Sequence, residues 1–303
     1  MTLFSEAAAR DPLFARAHAG IAESAVLLPL YSNVSRASVA DTIRASASRA
    51  MAHDSLLAAP HVALGLLEKG LGRWADSERE FSGALRLDPN DASAHQNLGE
   101  LYLTLGRFDD ARTSLGRAAY LEPMEPVIVA EFAYALMQAG ALDSATRVAA
   151  RAGVAAPRSP FVAYTLGILA ERDGNAVLAS QHMRTAAAAA PIPFFRGALA
   201  RSLSLIGDTT GADAIQAELA ALKDAPGAAF GRVIAGVERD PPELLFEGLA
   251  RAVRENDPFV LLLPLRDPWY DRLRNDARFS ALAERLRLPI SSIAPNARRA
   301  GGN

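Results

Sequence analysis

The sequence predicts an all-α fold, an α-α superhelix in which antiparallel helix pairs stack as a solenoid, and three observations predict it. Prolines stand at Pro89, Pro123, Pro157 and Pro191, each 34 residues after the last. Glycines at Gly72, Gly106, Gly140 and Gly174 keep the same step. Four further columns share it: Leu64, Leu98, Phe132, Leu166; Gly65, Gly99, Ala133, Gly167; Ser77, Ala111, Ala145, Ala179; and Ala84, Ala118, Ala152, Ala186. A period of 34 is the step of a helix–turn–helix unit that buries its apolar face only by stacking on copies of itself.

Taken in chain order, residues 1–57 read as degenerate N-terminal repeats. Residues 1–14 match only a second helix, with Phe4, Ala7 and Pro12 in the right columns, so the chain is expected to begin mid-repeat, as a fragment or module of a longer polypeptide. Residues 15–57 are nine longer than one repeat, and the excess falls around LPLYSNVSRASVAD, read as a long internal turn, with Ser55 in place of the closing proline.

Residues 58–193 hold four regular repeats, and the segment NLGELYLTLGRFDDARTSLGRAAYLEP at 97–123 explains their punctuation. Gly106 follows the periodic run Leu98, Leu101, Tyr102, Leu105, where a helix end needs a residue that tolerates the left-handed conformation. Gly99 lies inside the first helix, where glycine costs about 1 kcal/mol against alanine, so a packing reason is expected. With Ala111 and Ala118 on the second helix it permits a close approach of the two axes. Leu98, Leu101, Phe108 and Leu115 then fill the seams, and Pro123 stops the second helix.

Residues 194–257 read as degenerate helical repeats: a fifth unit with Gly207 and Ala212 in near-register after a one-residue deletion, then helices near 228–239 and 242–254. Residues 258–290, containing LRDPWYDRLRNDARFSALAERLRLP, break the period and read as a C-terminal helical cap, with a disordered tail at 291–303.

These columns closely resemble the tetratricopeptide repeat family, whose pattern joins a Leu-Gly pair, a later aromatic, a turn glycine, two small residues and a closing proline. The matching pairs are Leu64-Gly65, Leu98-Gly99 and Leu166-Gly167; where the family usually places tryptophan, this chain has His61, His95, Val129 and Ala163. The C-terminal stretch is similar to tails that close repeat arrays in bacterial serine/threonine kinases and winged-helix transcriptional regulators. The resemblance implies that first helices line a concave groove for a protein or peptide. Its outward positions would include Leu66, Lys69, Ser93, Asn97, Glu100, Leu103, Val127, Glu131, Tyr134, Gln138, Phe161, Tyr164, Ile168 and Arg172. Of these, Asn97, Glu100, Glu131, Tyr134, Gln138, Phe161, Tyr164, Ile168 and Arg172 are the candidate partner-binding residues. Tyr134 and Tyr164 are expected to offer flat apolar area with a hydroxyl, and Glu100 and Glu131 to meet a basic residue. The carboxylate clamp of some family members needs stacked Lys, Asn and Arg, and only Asn97 matches it.

Composition narrows the function classes. Basic and acidic residues nearly cancel, 32 against 34, so no net field attracts nucleic acid or anionic lipid. All the basic residues except Lys69 and Lys223 are arginine, a bias read as genomic base composition. Cysteine is absent, which excludes disulfides, thiolate metal sites and thiol nucleophiles. The N-terminus lacks a basic region followed by a sustained apolar one, and the longest apolar stretch, near 258–265, is too short to span a bilayer.

Candidate chemistry reduces to scaffold features. His18, His61 and His95 share one column, and helices about 10 Å apart cannot bring three imidazoles to one metal ion. GLGRW at 70–74 imitates a phosphate loop but lacks the preceding strand and the lysine-hydroxyl pair. No catalytic residue, metal site or cofactor is expected. The expected function is a non-catalytic protein-interaction scaffold without nucleic-acid binding or membrane insertion; its oligomeric state is not legible. The alternative is a sensory or regulatory C-terminal module of a larger bacterial signalling protein, a kinase or transcriptional regulator. The expected location is cytoplasmic, or extracytoplasmic if a membrane-anchored signalling domain precedes it.

Overall fold

The structure is a computed structural model that describes residues 1–31, 34–223, 225–255, 257, 260 and 268–289. Apart from Val260, the apolar run at 258–265 lies outside the described residues, as does the tail at 291–303. The described chain is helical throughout, and it divides into two compact units, Met1–Leu101 with Thr113–Leu121, and Tyr102–Arg112 with Glu122–Asn303. The first unit holds α1 (Thr2–Arg10), α2 (Ala15–Tyr31), α3 (Arg36–His53), α4 (Ala59–Gly70) and α5 (Trp74–Leu87). Helices α6 (Ala92–Thr104) and α7 (Phe108–Leu121) contribute residues to both. The second unit continues with α8 (Pro126–Gln138), α9 (Leu142–Ala155), α10 (Pro160–Arg172), α11 (Ala176–Ala189), α12 (Pro193–Leu205), α13 (Thr209–Ala221), α14 (Ala228–Gly236) and α15 (Pro242–Arg254). A short 3-10 turn, Pro268–Tyr270, and α16 (Ala277–Arg285) follow.

The periodic punctuation maps onto backbone geometry. At Gly106 φ is +70°; its N–H donates to Leu103 O at 3.1 Å, and the Arg107 N–H reaches Tyr102 O at 2.9 Å. This pair of bonds satisfies carbonyls that the helix end would otherwise orphan, and it needs a residue at home with positive φ. The pair recurs at Gly72, Gly140, Gly174 and Gly207, so the fifth, looser unit keeps the same turn. GLGRW is therefore a helix C-terminus. Prolines 89, 123, 157 and 191 stand two residues beyond Leu87, Leu121, Ala155 and Ala189, the last residues of α5, α7, α9 and α11.

Within each pair the seam is set by size complementarity. A Cβ on Gly99 would fall 2.5 Å from Leu115 Cγ, and on Gly65 2.5 Å from the Phe81 ring. At Gly167 the obstruction is the Met183 methyl, 2.8 Å away. Phe81, Leu115 and Met183 occupy one sequence column, and its third member is Ala149, facing the one repeat whose glycine is replaced, by Ala133. Large meets glycine, and small meets alanine.

The N-terminal expectation needs correction. LPLYSNVSRASVAD is not a long turn: α2 runs on to Tyr31 and α3 starts at Arg36, so the surplus residues lengthen two helices to 17 and 18 residues. Pro29 sits inside the last turn of α2. Ser35 starts α3, its Oγ accepting from the Ser38 N–H at 3.2 Å. The longer helices hold together through a cluster of Ala22, Ala25, Val39, Ala40, Ile43 and Ala47 with Ala63 and Leu67 of α4.

Two outcomes follow. Gly99→Ala should cost about 1–3 kcal/mol by overpacking. Gly99→Leu should cost more, and Gly99→Ala combined with Leu115→Ala should cost less than the sum of the singles by at least about 0.5 kcal/mol. Thermal unfolding followed by circular dichroism measures each. At α16, Asp276 caps the helix and binds the Arg278 guanidinium at 2.9 and 2.6 Å; that hydrogen bonding, with the Arg278 N–H, lowers its pKa to about 2. The stabilisation is present above the ordinary carboxylate range and lost as pH falls toward 2. The melting-temperature difference between the native chain and Asp276→Ala should therefore shrink as pH drops from about 4 to about 2.

Candidate partner-binding face

In the first unit, side chains on α4 and α6 join into short ionic rungs. Glu68 is buried and accepts from Arg44 at 2.9 Å and Arg73 at 3.2 Å, so α3, α4 and the turn after α4 share one carboxylate. Lys69 reaches across to Glu100 on the neighbouring first helix. Such a pair spans two successive repeats. Asn97 turns its amide back onto its own helix, donating to Ser93 O at 2.9 Å. It is half-buried, as are Leu66, Lys69 and Glu100, while Ser93 is exposed.

The histidine column behaves as packing. His18 bonds Pro12 O at 2.9 Å, His95 bonds Pro89 O at 3.1 Å, and His61 bonds Glu80 at 2.9 Å. Two of them tie the start of a first helix to the proline that closes the preceding second helix. Among the described residues no group of three or more His, Cys, Asp or Glu is placed to hold a metal ion. No helix among them is long and apolar enough to cross a membrane.

In the second unit Glu131, Phe161, Val127 and Arg172 are half-buried. Arg172 on α10 donates to Gln138 Oε1 at 3.2 Å and to Met137 O at 3.4 Å, both on α8. The two tyrosines expected as open contact area are closed: Tyr134 is 7% exposed and Tyr164 5%. Gln138, Ile168 and Leu103 are buried as well. Aromatic neighbours explain the case of Tyr164, whose ring lies 5.1 Å from Phe194, 6.0 Å from Phe195 and 6.2 Å from Trp269. Phe161 meets the Phe195 ring edge-on at 5.3 Å.

The most heavily engaged charge on this face is one that column reading passed over. Arg201 on α12 is 7% exposed, binds Glu171 of α10 at 2.5 Å and Glu238 beyond α14 at 2.8 Å, and lies 4.4 Å over the Trp269 ring. It stands 33 residues after Ile168, so it continues the Glu100, Tyr134, Ile168 column once the one-residue deletion is counted. That arithmetic was the available signal. Arg201→Met leaves the nearly enclosed Glu171 carboxylate and the part-exposed Glu238 without their shared cation, and it should cost about 1.5–3 kcal/mol, against less than about 1 kcal/mol for Arg172→Met. Urea unfolding of the two variants compares them.

Residues 62–125 match the family model described as tetratricopeptide repeat. No curated protein matches the chain. Among solved structures, the Pseudomonas aeruginosa PilF protein aligns with a TM-score of 0.53 at 17% identity, over 70% of this chain and 96% of its own. Cut9 with Hcn1, from an APC/C hetero-tetramer, gives 0.59 at 14% identity over 94% of this chain and 51% of its own. A thermophilic tetratricopeptide-repeat protein of Thermus thermophilus, TTC0263, gives 0.51 at 24% identity over 59% and 96%. The fold is thus that of tetratricopeptide-repeat solenoids, with no strand among the described residues.

Proposed function

We propose that the chain is a non-catalytic scaffold that binds a segment of a partner protein along the first-helix faces of its repeats. The observation that carries this reading is the ionic and aromatic furnishing of those faces: Lys69–Glu100, Arg172–Gln138 and Arg201 between Glu171 and Glu238 link successive first helices. Such rungs fix the spacing of the repeats and leave half-buried polar and aromatic side chains, Asn97, Glu131 and Phe161, at the solvent boundary. A partner segment would pair with those groups and gain apolar contact without a large rearrangement. A basic residue in it would share the Glu100 carboxylate with Lys69 or meet Glu131. Tyr134, Gln138, Tyr164 and Ile168 then act from behind the surface by holding it in shape, and the expected tyrosine contacts move to Phe161 and the charged rungs. The compartment proposed is the cytoplasm, or the extracytoplasmic side if a membrane-anchored domain precedes the chain.

The second reading, a regulatory module of a kinase or winged-helix regulator, rests on the sequence likeness of residues 265–289 to the tails of such proteins. A kinase or DNA-binding domain encoded upstream in the same frame would favour it.

A photo-crosslinking amino acid at position 97 or 131 of the full chain, expressed in its native host, should trap a partner protein. The same group at exposed Arg151 on α9 should not. Trapping from Arg151 alone would sink the first-helix assignment.

A further inference from the structure

Trp269 reaches its place from a segment beyond α15, and the side chains that hold it there belong to the repeat helices of the second unit. Arg201 covers one side of the indole at 4.4 Å from the ring centre, and Tyr164 meets it edge-on at 6.2 Å and 80°. Arg201 is itself fixed by Glu171 and Glu238, and Tyr164 is backed by Phe194, which stacks at 6.4 Å on Phe230. Three residues on from the tryptophan, Arg272 donates to Val237 O at 2.5 Å and to Asp240 O at 3.2 Å. Val237 is the C-cap of α14, where helix carbonyls carry partial negative charge and favour a cation. An aromatic and an arginine at i and i+3 are thus read together, by a guanidinium–tyrosine socket and by a helix C-terminus.

We propose that this socket is the specificity site of the scaffold: it recognises, in a partner protein, an aromatic side chain followed three residues later by arginine, and Trp269 with Arg272 is its internal occupant, displaced when the partner binds. The inference rests on the scaffold reading above and adds the chemistry of the ligand. Three features support an exchangeable occupant. The socket walls are held by bonds among the repeat helices themselves, so the site keeps its form when the segment leaves. Two carboxylates, Glu171 and Glu238, flank the Arg201 cation, so the site favours a segment that brings positive charge. The contacts of Trp269 and Arg272 are side-chain ring and guanidinium contacts that any chain with the same two residues at that spacing reproduces.

The test uses the full chain and a fluorescein-labelled synthetic peptide of residues 266–276, RDPWYDRLRND. Fluorescence anisotropy should show the peptide binding Trp269→Ala at least tenfold more tightly than the unaltered chain, in which the site is already filled. Replacing the peptide's tryptophan or its first internal arginine, the Arg272 equivalent, with alanine should weaken binding at least tenfold. If Trp269→Ala loses its helical circular dichroism, Arg272→Ala in the full chain serves instead: it removes the bonds to Val237 O and Asp240 O while Trp269 and the buried Tyr270 and Leu273 still hold the segment, so a smaller rise in peptide affinity is expected.

A folded variant that ignores the peptide, or binds it equally with and without those two side chains, overturns the proposal and makes the segment a fixed cap. Concentration-dependent dimers that vanish in Trp269→Ala, seen by sedimentation, also overturn it, because the occupant would then come from a second copy. A partner trapped at position 97 or 131 while the peptide fails refutes the socket alone and leaves the scaffold reading standing.

Discussion

The structure depends on how closely the two helices of each repeat can approach. Where the first helix carries glycine, a long side chain from the second lies over its backbone: Leu115 would sit 2.5 Å from any Cβ on Gly99. The helix gives up about 1 kcal/mol of propensity at that glycine, and burial of a leucine side chain returns about 1.5–3 kcal/mol. The exchange is favourable only if the partner is large, which is why the repeat with Ala133 carries Ala149. Pairing by size, rather than either residue alone, is the quantity the repeats preserve.

From that contact the rest of each pair follows. The two helices of each pair are joined by a reversal of few residues, in which the left-handed glycine and its two return hydrogen bonds satisfy two of the carbonyls that the helix end would otherwise orphan. These features were legible in the sequence because each is a backbone demand that few residue types meet. Gly106 and Pro123 announce a turn and a stop whatever surrounds them. The lengths of α2 and α3 were not legible, since Pro29 carries turn propensity that the alanine seam between the two helices overrides, and the serine-rich stretch around Ser35 supplies an N-cap where it was read as part of a long turn. Tertiary burial won over local preference there.

Exposure on the candidate face was the least legible property. The period correctly places Tyr164 on a first helix but says nothing about what lies against it, and its neighbours come from α12 and from Trp269, far along the chain. Arg201 was missed for a related reason: a one-residue deletion shifts it out of the 34-residue register, although it occupies the same structural column. Side-chain surroundings are a pair property, and a single column shows only one member of the pair.

The occupancy of the Tyr164–Arg201 socket bears on affinity as well as on specificity. A site that must release its own tryptophan before it can accept another binds its partner with a dissociation constant raised by the inverse of its open fraction. An open fraction of about 1% raises it about 100-fold, or about 2.7 kcal/mol. The same tax applies to every segment that competes for the socket, so it does not by itself distinguish good partners from poor ones. Discrimination comes from the second contact. A segment with only an aromatic residue recovers the Arg201 and Tyr164 interactions but leaves the carbonyls of Val237 and Asp240 without the guanidinium that now serves them. Only a segment carrying both groups at the right spacing replaces everything that Trp269 and Arg272 give up, so an internal occupant turns a permissive aromatic surface into one that asks for two residues at once.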